Sequence, residues 1–385
     1  MNTSEKSFDE IKSLISDLNL LVVTANDVET FHVRQVLKSL PDFVEVLKVP
    51  HKNHTYFLGL FGQYQCIHVQ CGNMGSMNST GATLTISNAI DEWKPKVVVM
   101  VGVAMGIDET KQQIGDVLIS ETIIHYENQR VGSKRAISRG GIVSASDLLL
   151  NRFRNVTDWS YLLPNGNFAK QLPGQILSGE KLIDNLTFRN HLLRNYPQAI
   201  GAEMEGAGVY AACRNKNVHE WILVKGICDY GDGNKSVDKQ QRQNLAALCA
   251  TSLCLKVFES KVGFADASLY PVAVKKTGFQ SEEIATLQTN NEEEIMAIIE
   301  SPVNKKEDMH TPIQLTVSAF LELSSYQKAI VINDLGINLA SLTNLNAHEM
   351  DKEFFRQVKS NNLLPVLWNA INIIKPFKTD KNPFV

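Results

Sequence analysis

Three carboxylates near the middle of the chain have the types and spacing for acid–base chemistry. Glu203 and Glu205 flank Met204, directly before Gly-Ala-Gly and a segment with helical character. Asp229 follows Trp221–Cys228, an apolar run that is typical of a buried strand. Because ligands of α/β proteins bind beyond the carboxyl ends of parallel strands, we interpret these residues as one site. The arrangement favours general acid chemistry beside the recognition of hydroxyl groups.

The elements that must position these carboxylates alternate between strands and helices. We predict a strand over Leu20–Ala25 and a helix that begins after Asn26. Residues 43–71 alternate as two or three strands, Val97–Met100 is a further core strand, and a helical pattern covers Asp238–Phe258. The fold class is therefore α/β, with a mixed central sheet, helices on both faces and a small C-terminal α-helical module.

Changes in composition divide the chain into four parts. An amphipathic N-terminal helix is predicted over residues 1–19, and a catalytic domain over residues 20–265. Residues 266–310 are polar and acidic and are interpreted as a linker, and residues 311–385 as the helical module.

The composition argues against several classes of partner. The formal net charge of the 385 residues is −3, so no global basic field favours nucleic acid. No apolar run of about 18 residues predicts a membrane span, and the N-terminus has no secretory pattern. The six cysteines form no C-x-x-C pair and are expected to be buried free thiols, which favours a cytoplasmic location. No metal or other cofactor is expected, because no motif such as H-E-x-x-H occurs.

Five segments together resemble the nucleoside phosphorylase/nucleosidase superfamily. AEMEGAGVY and VKGICDYGD are similar to a VEMEA-type segment and a following strand that ends in Ser-Asp. VGVAMGI, IGDVLIS and ILSGEKLI resemble its T-G-S-A-G-G-L, V-G-D-I-V-V-S and I-V-S-G-D-A-F-I segments, in the same order. The likeness covers roughly residues 20–260 and is strongest to the nucleosidases of methylthioadenosine and adenosylhomocysteine. Together these motifs outweigh the alternative that Glu203 and Glu205 only stabilise a helix N-terminus.

The resemblance implies catalytic roles for two carboxylates. Glu29, in TANDVET, aligns with a family glutamate that deprotonates the attacking water, and Asp229 would protonate the purine at N7. An acid and a base on opposite faces of the sugar are the logic of inverting glycoside hydrolysis. For Glu29, a carboxylate that only favours the helix dipole is the alternative.

The resemblance also implies how the sugar is held. Glu205 would accept hydrogen bonds from the ribose 2′- and 3′-hydroxyls, with Met204 beneath the sugar and Glu203 in the same binding segment. Val103 and Ala104 belong to the segment along the ribose and the phosphate or water site. Val103 stands where the family often has a hydroxyl, and this loss favours hydrolysis over phosphorolysis.

The base would be held by the ILSGEKLI segment. The family has an aromatic residue there that stacks on adenine, whereas this chain has Leu182. The resemblance implies that the backbone of the next residue, Ile183, reads the edge of the base.

A glycine-containing loop carries four cations, Arg130, Lys134, Arg135 and Arg139. Because guanidinium groups suit phosphate oxygens, we predict that Arg130 and Arg135 bind substrate phosphates. A solvated basic loop is the alternative. The segment GICDYGDGNK resembles the phosphorylase-like effector domains of bacterial and fungal immune proteins, some of which cleave adenine from ATP.

These observations predict a purine nucleosidase that hydrolyses the N-glycosidic bond of an adenine nucleotide, with ATP favoured, as an antiviral immune effector. A methylthioadenosine/adenosylhomocysteine nucleosidase or purine nucleoside phosphorylase is the first alternative, and a non-catalytic nucleoside sensor the second. AFLELSSYQKAIVINDLGI resembles small helical adaptor domains of bacterial defence proteins, so a protein partner or self-association through this module is expected. A homo-oligomer is expected as well. The alternative is a helical extension that packs on its own catalytic domain.

Overall fold

The computed structural model divides into two units, residues 1–273 and 274–385. The residues that it describes are 2–72, 75–132, 136–272, 310–321, 328, 331–332, 335, 347–361, 363–364, 366–368 and 371. Most of the predicted acidic linker, from residue 273 to 309, therefore lies outside the described residues. Within the described part of the chain, no helix combines the length and apolar character that a membrane span requires.

Eleven strands of the described residues form one mixed sheet, in the spatial order β1-β3-β4-β5-β2-β6-β12-β11-β7-β10, while β13 pairs with both β6 and β7. The bounds are β1 Thr3–Glu5, β2 Leu20–Thr24, β3 Val46–His51, β4 His54–Phe61, β5 Tyr64–Gln70, β6 Val97–Gly106, β7 Val117–His125, β10 Ile142–Ser144, β11 Gln171–Ser178, β12 Ala199–Glu203 and β13 Glu220–Asp229. A separate hairpin joins β8 Gln129–Val131 to β9 Ala136–Ser138.

The register of the central strands brings the predicted site together. Strands β2 and β13 both run parallel to β6, so their carboxyl ends meet at one edge of the sheet. Strand β12 runs antiparallel to β6 but pairs only with its last residues, Ala202 with Met105 and Gly201 with Gly106. The ends of β12 and β13 therefore place Glu203 and Asp229 beside the same part of β6.

Six α-helices cover the sheet among the described residues of the first unit, and they confirm the predicted mixed α/β fold. Helix α1 packs against α6, and α2 packs against α5. Their bounds are α1 Asp27–Val36, α2 Ala82–Trp93, α3 Asp147–Arg154, α4 Leu186–Asn195, α5 Gly206–Asn215 and α6 Lys239–Phe258.

The first residues differ from the amphipathic α-helix predicted over residues 1–19. They form the short edge strand β1, which pairs in parallel with β3, and then a 3₁₀-helix over Asp9–Asp17. Ser7 and Glu10 exchange side-chain and backbone hydrogen bonds at its start. The α-helix prediction was wrong because the spacing of Phe8, Ile11 and Leu14 fits both helix types. These residues share one face in a 3₁₀-helix, with three residues per turn, and also in an α-helix, with 3.6 residues per turn.

The second unit contains helices α7, His310–Leu321, and α8, Ala347–Ser360. The rings of Phe320 and Phe354 stack at a centroid distance of 4.4 Å, and Phe355 contacts both edge-on. Lys328 Nζ lies 2.8 Å from Asp351 Oδ2. The three phenylalanines belong to one apolar cluster, formed by Val317, Ala319, Phe320, Val331, Ile332, Leu335, Phe354, Phe355, Val358, Leu367 and Ile371.

Candidate active site

A cavity lies at the edge of the sheet where β2, β6 and β13 end. Its wall includes nine of the predicted site residues, namely Glu29, Val103, Ala104, Leu182, Ile183, Glu203, Met204, Glu205 and Asp229. It also includes residues that the sequence did not single out, namely Ala25, Asn26, Met105, Tyr126, Lys181, Ala202, Cys228, Lys235 and Gln243. The roles of the nine residues stay predictions, but the fold gathers them in one place.

Glu29 is fixed at the start of α1 by a reciprocal cap. The Asn26 side chain accepts a hydrogen bond from the Glu29 N–H, while Glu29 Oε2 accepts from Asn26 N and, at 2.6 Å, from Ala25 N. Glu29 Oε1 accepts from Val103 N at 2.9 Å. Burial raises the pKa of Glu29 above its ordinary value, against the opposing field of Lys225. A buried carboxylate with a raised pKa is suited to act as a base.

Lys225 is a fully buried cation in the middle of β13, and sequence reasoning missed it. Its Nζ atom lies 3.0 Å from Glu205 Oε2 and 3.7 Å from Glu203 Oε2. Burial by itself would lower the pKa of Lys225, but the carboxylates of Glu205, Glu29 and Glu203 outweigh it and hold the pKa above its usual range. The lysine therefore stays charged and compensates the acidic cluster around it.

The two glutamates of the AEMEG segment have different surroundings. Glu203 caps helix α5, because its carboxylate accepts hydrogen bonds from the backbone N–H groups of Glu205 and Gly206. Glu205 instead accepts from Gly75 N at 3.1 Å and from Lys225 Nζ. The helix-capping alternative thus describes the contacts of Glu203, whereas Glu205 is oriented by a buried cation and by a remote loop.

Asp229 ends β13 and lines the cavity. Its Oδ1 accepts a hydrogen bond from Gly231 N at 3.0 Å. Its Oδ2 lies 3.2 Å from Cys228 Sγ and 3.2 Å from Lys235 Nζ. Lys235 belongs to the segment GDGNK, whose sequence gave no sign that its last residue folds back onto the aspartate.

The ILSGEKLI segment is tied to the loop that follows Asp229. Asp184 Oδ1 accepts hydrogen bonds from Gly233 N at 2.9 Å and from Lys235 N at 3.3 Å. Gly231 has a φ of +59°, and a Cβ there would lie 3.2 Å from the Ile183 carbonyl. Leu182 is 57% exposed. The two segments therefore form one wall, with an aliphatic side chain where the resemblance implied aromatic stacking.

The predicted phosphate-binding loop does not line the cavity in its described residues. Arg130 lies on β8 and is exposed, as is Arg139, while Lys134 and Arg135 lie outside the described residues. The cations on the wall are Lys181 and Lys235. Lys181 Nζ lies 2.5 Å from Glu127 Oε1.

The glycine-rich turn before α2 already holds carboxylates. Gly75 N donates to Glu205, and Ser76 N donates to both carboxylate oxygens of Glu180 at 3.0 and 3.1 Å. Backbone N–H groups of this kind can bind an inorganic anion, but these two are occupied by side chains of the protein. Val103 N is likewise occupied by Glu29.

Comparison with protein-family models identifies the first unit. Residues 20–259 match the model of the phosphorylase superfamily. The chain belongs to this family. Residues 312–373 match a second model, the GTPase-associated adaptor domain. The predicted family is thus confirmed for this phosphorylase-superfamily chain, and its helical module is similar to an adaptor domain.

Curated relatives of this superfamily member include nucleosidases of two kinds. It is 28% identical over 251 residues to the death domain-containing ATP nucleosidase of Amphimedon queenslandica, covering 60% of this chain and 46% of the relative. It is 28% identical over 205 residues to ATP nucleosidase Cap17 of Escherichia coli strain KTE188, covering 46% and 39%. The match thus spans less than half the length of either relative. A methylthioadenosine/adenosylhomocysteine nucleosidase of Desulfotalea psychrophila is 25% identical, over 48% of this chain and 74% of the relative.

Solved structures show the same fold. The methylthioadenosine/adenosylhomocysteine nucleosidase of Colwellia psychrerythraea 34H in complex with adenine superposes with a TM-score of 0.53 and 17% identity, covering 66% of this chain and 98% of that one. The corresponding enzyme of Neisseria meningitidis gives 0.52 and 15%, covering 63% and 98%.

Proposed function

We propose that this protein hydrolyses the N-glycosidic bond of an adenine nucleotide, with ATP favoured, and releases adenine. The observation that carries the proposal is the gathering of Glu29, Glu205 and Asp229 in one cavity at the ends of β2, β12 and β13. Two carboxylates provide a base and an acid, and the third provides a binding group for the sugar hydroxyls. The ATP nucleosidases among the relatives support ATP as the substrate.

In the proposed reaction, Glu29 removes a proton from water as the water oxygen bonds to C1′ of the ribose. The bond from C1′ to N9 of adenine breaks, and protonated Asp229 donates its proton to N7 of the departing base. In the free protein Asp229 Oδ2 lies 3.2 Å from Lys235 Nζ, so the proposed proton transfer requires this pair to open as the base enters. Glu205, held by Lys225, binds the ribose hydroxyls.

Hydrolysis is favoured over phosphorolysis by the occupied backbone N–H groups. Gly75, Ser76 and Val103 all donate to carboxylates of the protein. An inorganic phosphate would have to displace these carboxylates from the N–H groups. It would also bring its negative charge close to theirs, which is unfavourable in a buried site.

A nucleosidase of methylthioadenosine or adenosylhomocysteine is the second candidate, favoured by the Desulfotalea relative. Incubation of the full chain with ATP, adenosine and methylthioadenosine, followed by chromatography, separates the two. We expect adenine release to be fastest from ATP. Faster release from methylthioadenosine would replace the first candidate by the second, and tight binding of nucleosides without any product would favour a sensor.

In the cell, we propose a cytoplasmic antiviral effector that acts as a homo-oligomer and is coupled to a protein partner through its helical module. The adaptor-domain match over residues 312–373 supports the coupling. Co-purification of a partner with the full chain, and its loss when the module is disrupted, would test this.

A further inference from the structure

Two lysines line the cavity among the described residues, and their surroundings differ. The Lys181 side chain is 59% exposed and pairs with Glu127, which does not line the cavity. The Lys235 side chain is only 15% exposed, and its Nζ atom lies 3.2 Å from Oδ2 of Asp229, another wall residue. Lys235 is therefore the wall cation that is paired with the proposed acid.

The two oxygens of the Asp229 carboxylate have different partners. Oδ1 accepts a hydrogen bond from Gly231 N at 3.0 Å, which holds the carboxylate in place. Oδ2 contacts Lys235 Nζ and also Cys228 Sγ, which is a weak donor and a weak acceptor. When the pair with Lys235 opens, Asp229 thus keeps its orientation through Oδ1, but the ammonium needs another anionic partner.

The backbone of Lys235 is anchored, so its side chain can change partner while the loop stays in place. Asp184 Oδ1 accepts hydrogen bonds from Gly233 N at 2.9 Å and from Lys235 N at 3.3 Å. Between them, Asn234 donates from its backbone and its side chain to the Asp232 carboxylate. The flexible stem of a lysine allows its ammonium group to move by rotation about side-chain bonds.

A nucleotide offers the ammonium a new partner, whereas a nucleoside does not. In the anti form of an adenine nucleotide, the edge of the base that carries N7 and C8 lies on the side of the 5′ carbon. A cation beside a group that acts on N7 is therefore also near the 5′-phosphates. Because an ammonium without a partner is costly in a site shielded from water, a phosphate makes opening of the Asp229 pair more favourable.

We propose that Lys235 binds a 5′-phosphate oxygen of the substrate, that this contact replaces its pair with Asp229, and that Lys235 thereby selects nucleotides over nucleosides. The inference rests on the proposed function, which places N7 of an adenine nucleotide at Asp229. An ammonium group makes a charge-assisted hydrogen bond to a phosphate oxygen. Binding energy from the phosphates, which do not react, is thus used to free the acid that acts on the base.

The test compares Lys235→Met with Lys239→Met in the full-length protein. Lys239 is exposed at the start of α6 and does not line the cavity, so both variants lose one positive charge from neighbouring parts of the chain. The kcat/KM of adenine release is measured for ATP and for adenosine. The ratio of the two values should fall roughly ten- to a hundredfold in Lys235→Met, because one charge-assisted bond to ATP is lost. It should stay at the wild-type value in Lys239→Met, and Lys235→Arg, which keeps a cation, should retain part of the preference.

A binding measurement separates recognition from catalysis. Calorimetric titrations with ATP and with adenosine are made on Asp229→Asn, which turns over slowly, and on Asp229→Asn combined with Lys235→Met. The added Lys235→Met change should weaken ATP binding roughly ten- to a hundredfold, and far more than it weakens adenosine binding. Equal changes for the two ligands would overturn the contact between Lys235 and the phosphates.

The kinetic outcomes distinguish this inference from the function beneath it. Equal losses on ATP and adenosine in Lys235→Met would overturn the inference and leave the proposed function standing, because Lys235 would then act only through Asp229. The same fall in the ratio in Lys239→Met would also overturn it, because the effect would then come from the general charge of the region. No release of adenine from ATP by the wild type would overturn the proposed function and this inference together.

Discussion

The Nζ atom of Lys225 lies 3.0 Å from Oε2 of Glu205, and both side chains are almost wholly removed from solvent. The strand β13 thus carries a cation behind the carboxylate that we assign to the ribose, and the same strand ends in Asp229. Because an isolated charge is costly to bury, the lysine and the glutamates depend on one another. One strand therefore supplies both the proposed acid and the counter-charge of the proposed sugar-binding group.

Replacement of Lys225 by methionine should be strongly destabilising. It leaves the carboxylates of Glu205 and Glu203 buried without their cation, a change that costs about 3–5 kcal/mol when one partner of a buried pair is removed. Denaturant unfolding measures the loss. Lys216→Met, which removes a cation paired with Asp91 at the surface, should cost about 1 kcal/mol or less. Similar losses in the two variants would contradict the importance of the buried cluster.

Asp229→Asn should abolish most base release while leaving the fold intact. The amide keeps the size of the side chain but cannot donate the proton that the purine needs, so the rate should fall roughly 10²–10⁴-fold. Asp232→Asn is the matched control, because Asp232 lies in the same loop but does not line the cavity. Near-normal turnover by a folded Asp229→Asn protein would remove Asp229 from the mechanism.

The acidic limb of the pH–rate profile should reflect Glu29. Burial raises the pKa of this carboxyl above 4.5, and a base must be deprotonated, so kcat/KM should fall on acidification with an apparent pKa above that value. Glu29 affects folding stability in the direction opposite to activity. Since burial raises its pKa in the native state, the native state binds a proton more tightly than the unfolded chain does, and this contribution favours folding. It is fully present below the unfolded pKa and is lost as pH rises through the folded pKa. Steady-state kinetics, with circular dichroism at each pH to monitor folding, test this; a limb centred at or below 4.5 would exclude Glu29 as the base.

Arg130→Ala should weaken cleavage of ATP about ten- to a hundredfold and leave cleavage of adenosine unchanged, because only ATP offers phosphates for a charge-assisted bond. Arg194, exposed on α4 and away from the cavity wall, provides the control Arg194→Ala. Equal losses on both substrates would show that the loop is structural. No loss on either would leave Lys181 and Lys235 as the cations to test next.

The elements that carry the site were largely predictable from local signals. The cap at Asn26 and the apolar run before Asp229 are encoded by neighbouring residues, and both appear in the structure as α1 and β13. The mixed α/β fold followed from patterns of this kind, and the family from the resemblance of five segments to a known superfamily.

The contacts between distant segments were not predictable in this way. Lys225 lies within an apolar run, so the run predicted the strand but not the buried charge. A lysine inside a predicted buried strand is itself unusual, and it could have indicated a buried ion pair. Lys235 lines the cavity because its loop folds back onto Asp229. Tyr126 lies at the cavity because it packs closely on Gly179. Neither contact can be predicted from the residues next to it in the sequence. At the N-terminus, Thr3–Glu5 form a strand because they pair with β3, a contact between segments about 40 residues apart in the sequence.

The most direct test of the central claim is to incubate the full-length protein with ATP in phosphate-free buffer and to identify both products by chromatography and mass spectrometry. We predict adenine and a ribose triphosphate with a free anomeric hydroxyl, in equal amounts, and formation of both that is roughly 10²–10⁴-fold slower with Asp229→Asn. Adding inorganic phosphate should change neither the rate nor the products. Adenine that appears only when phosphate is present, together with a ribose 1-phosphate product, would contradict hydrolysis.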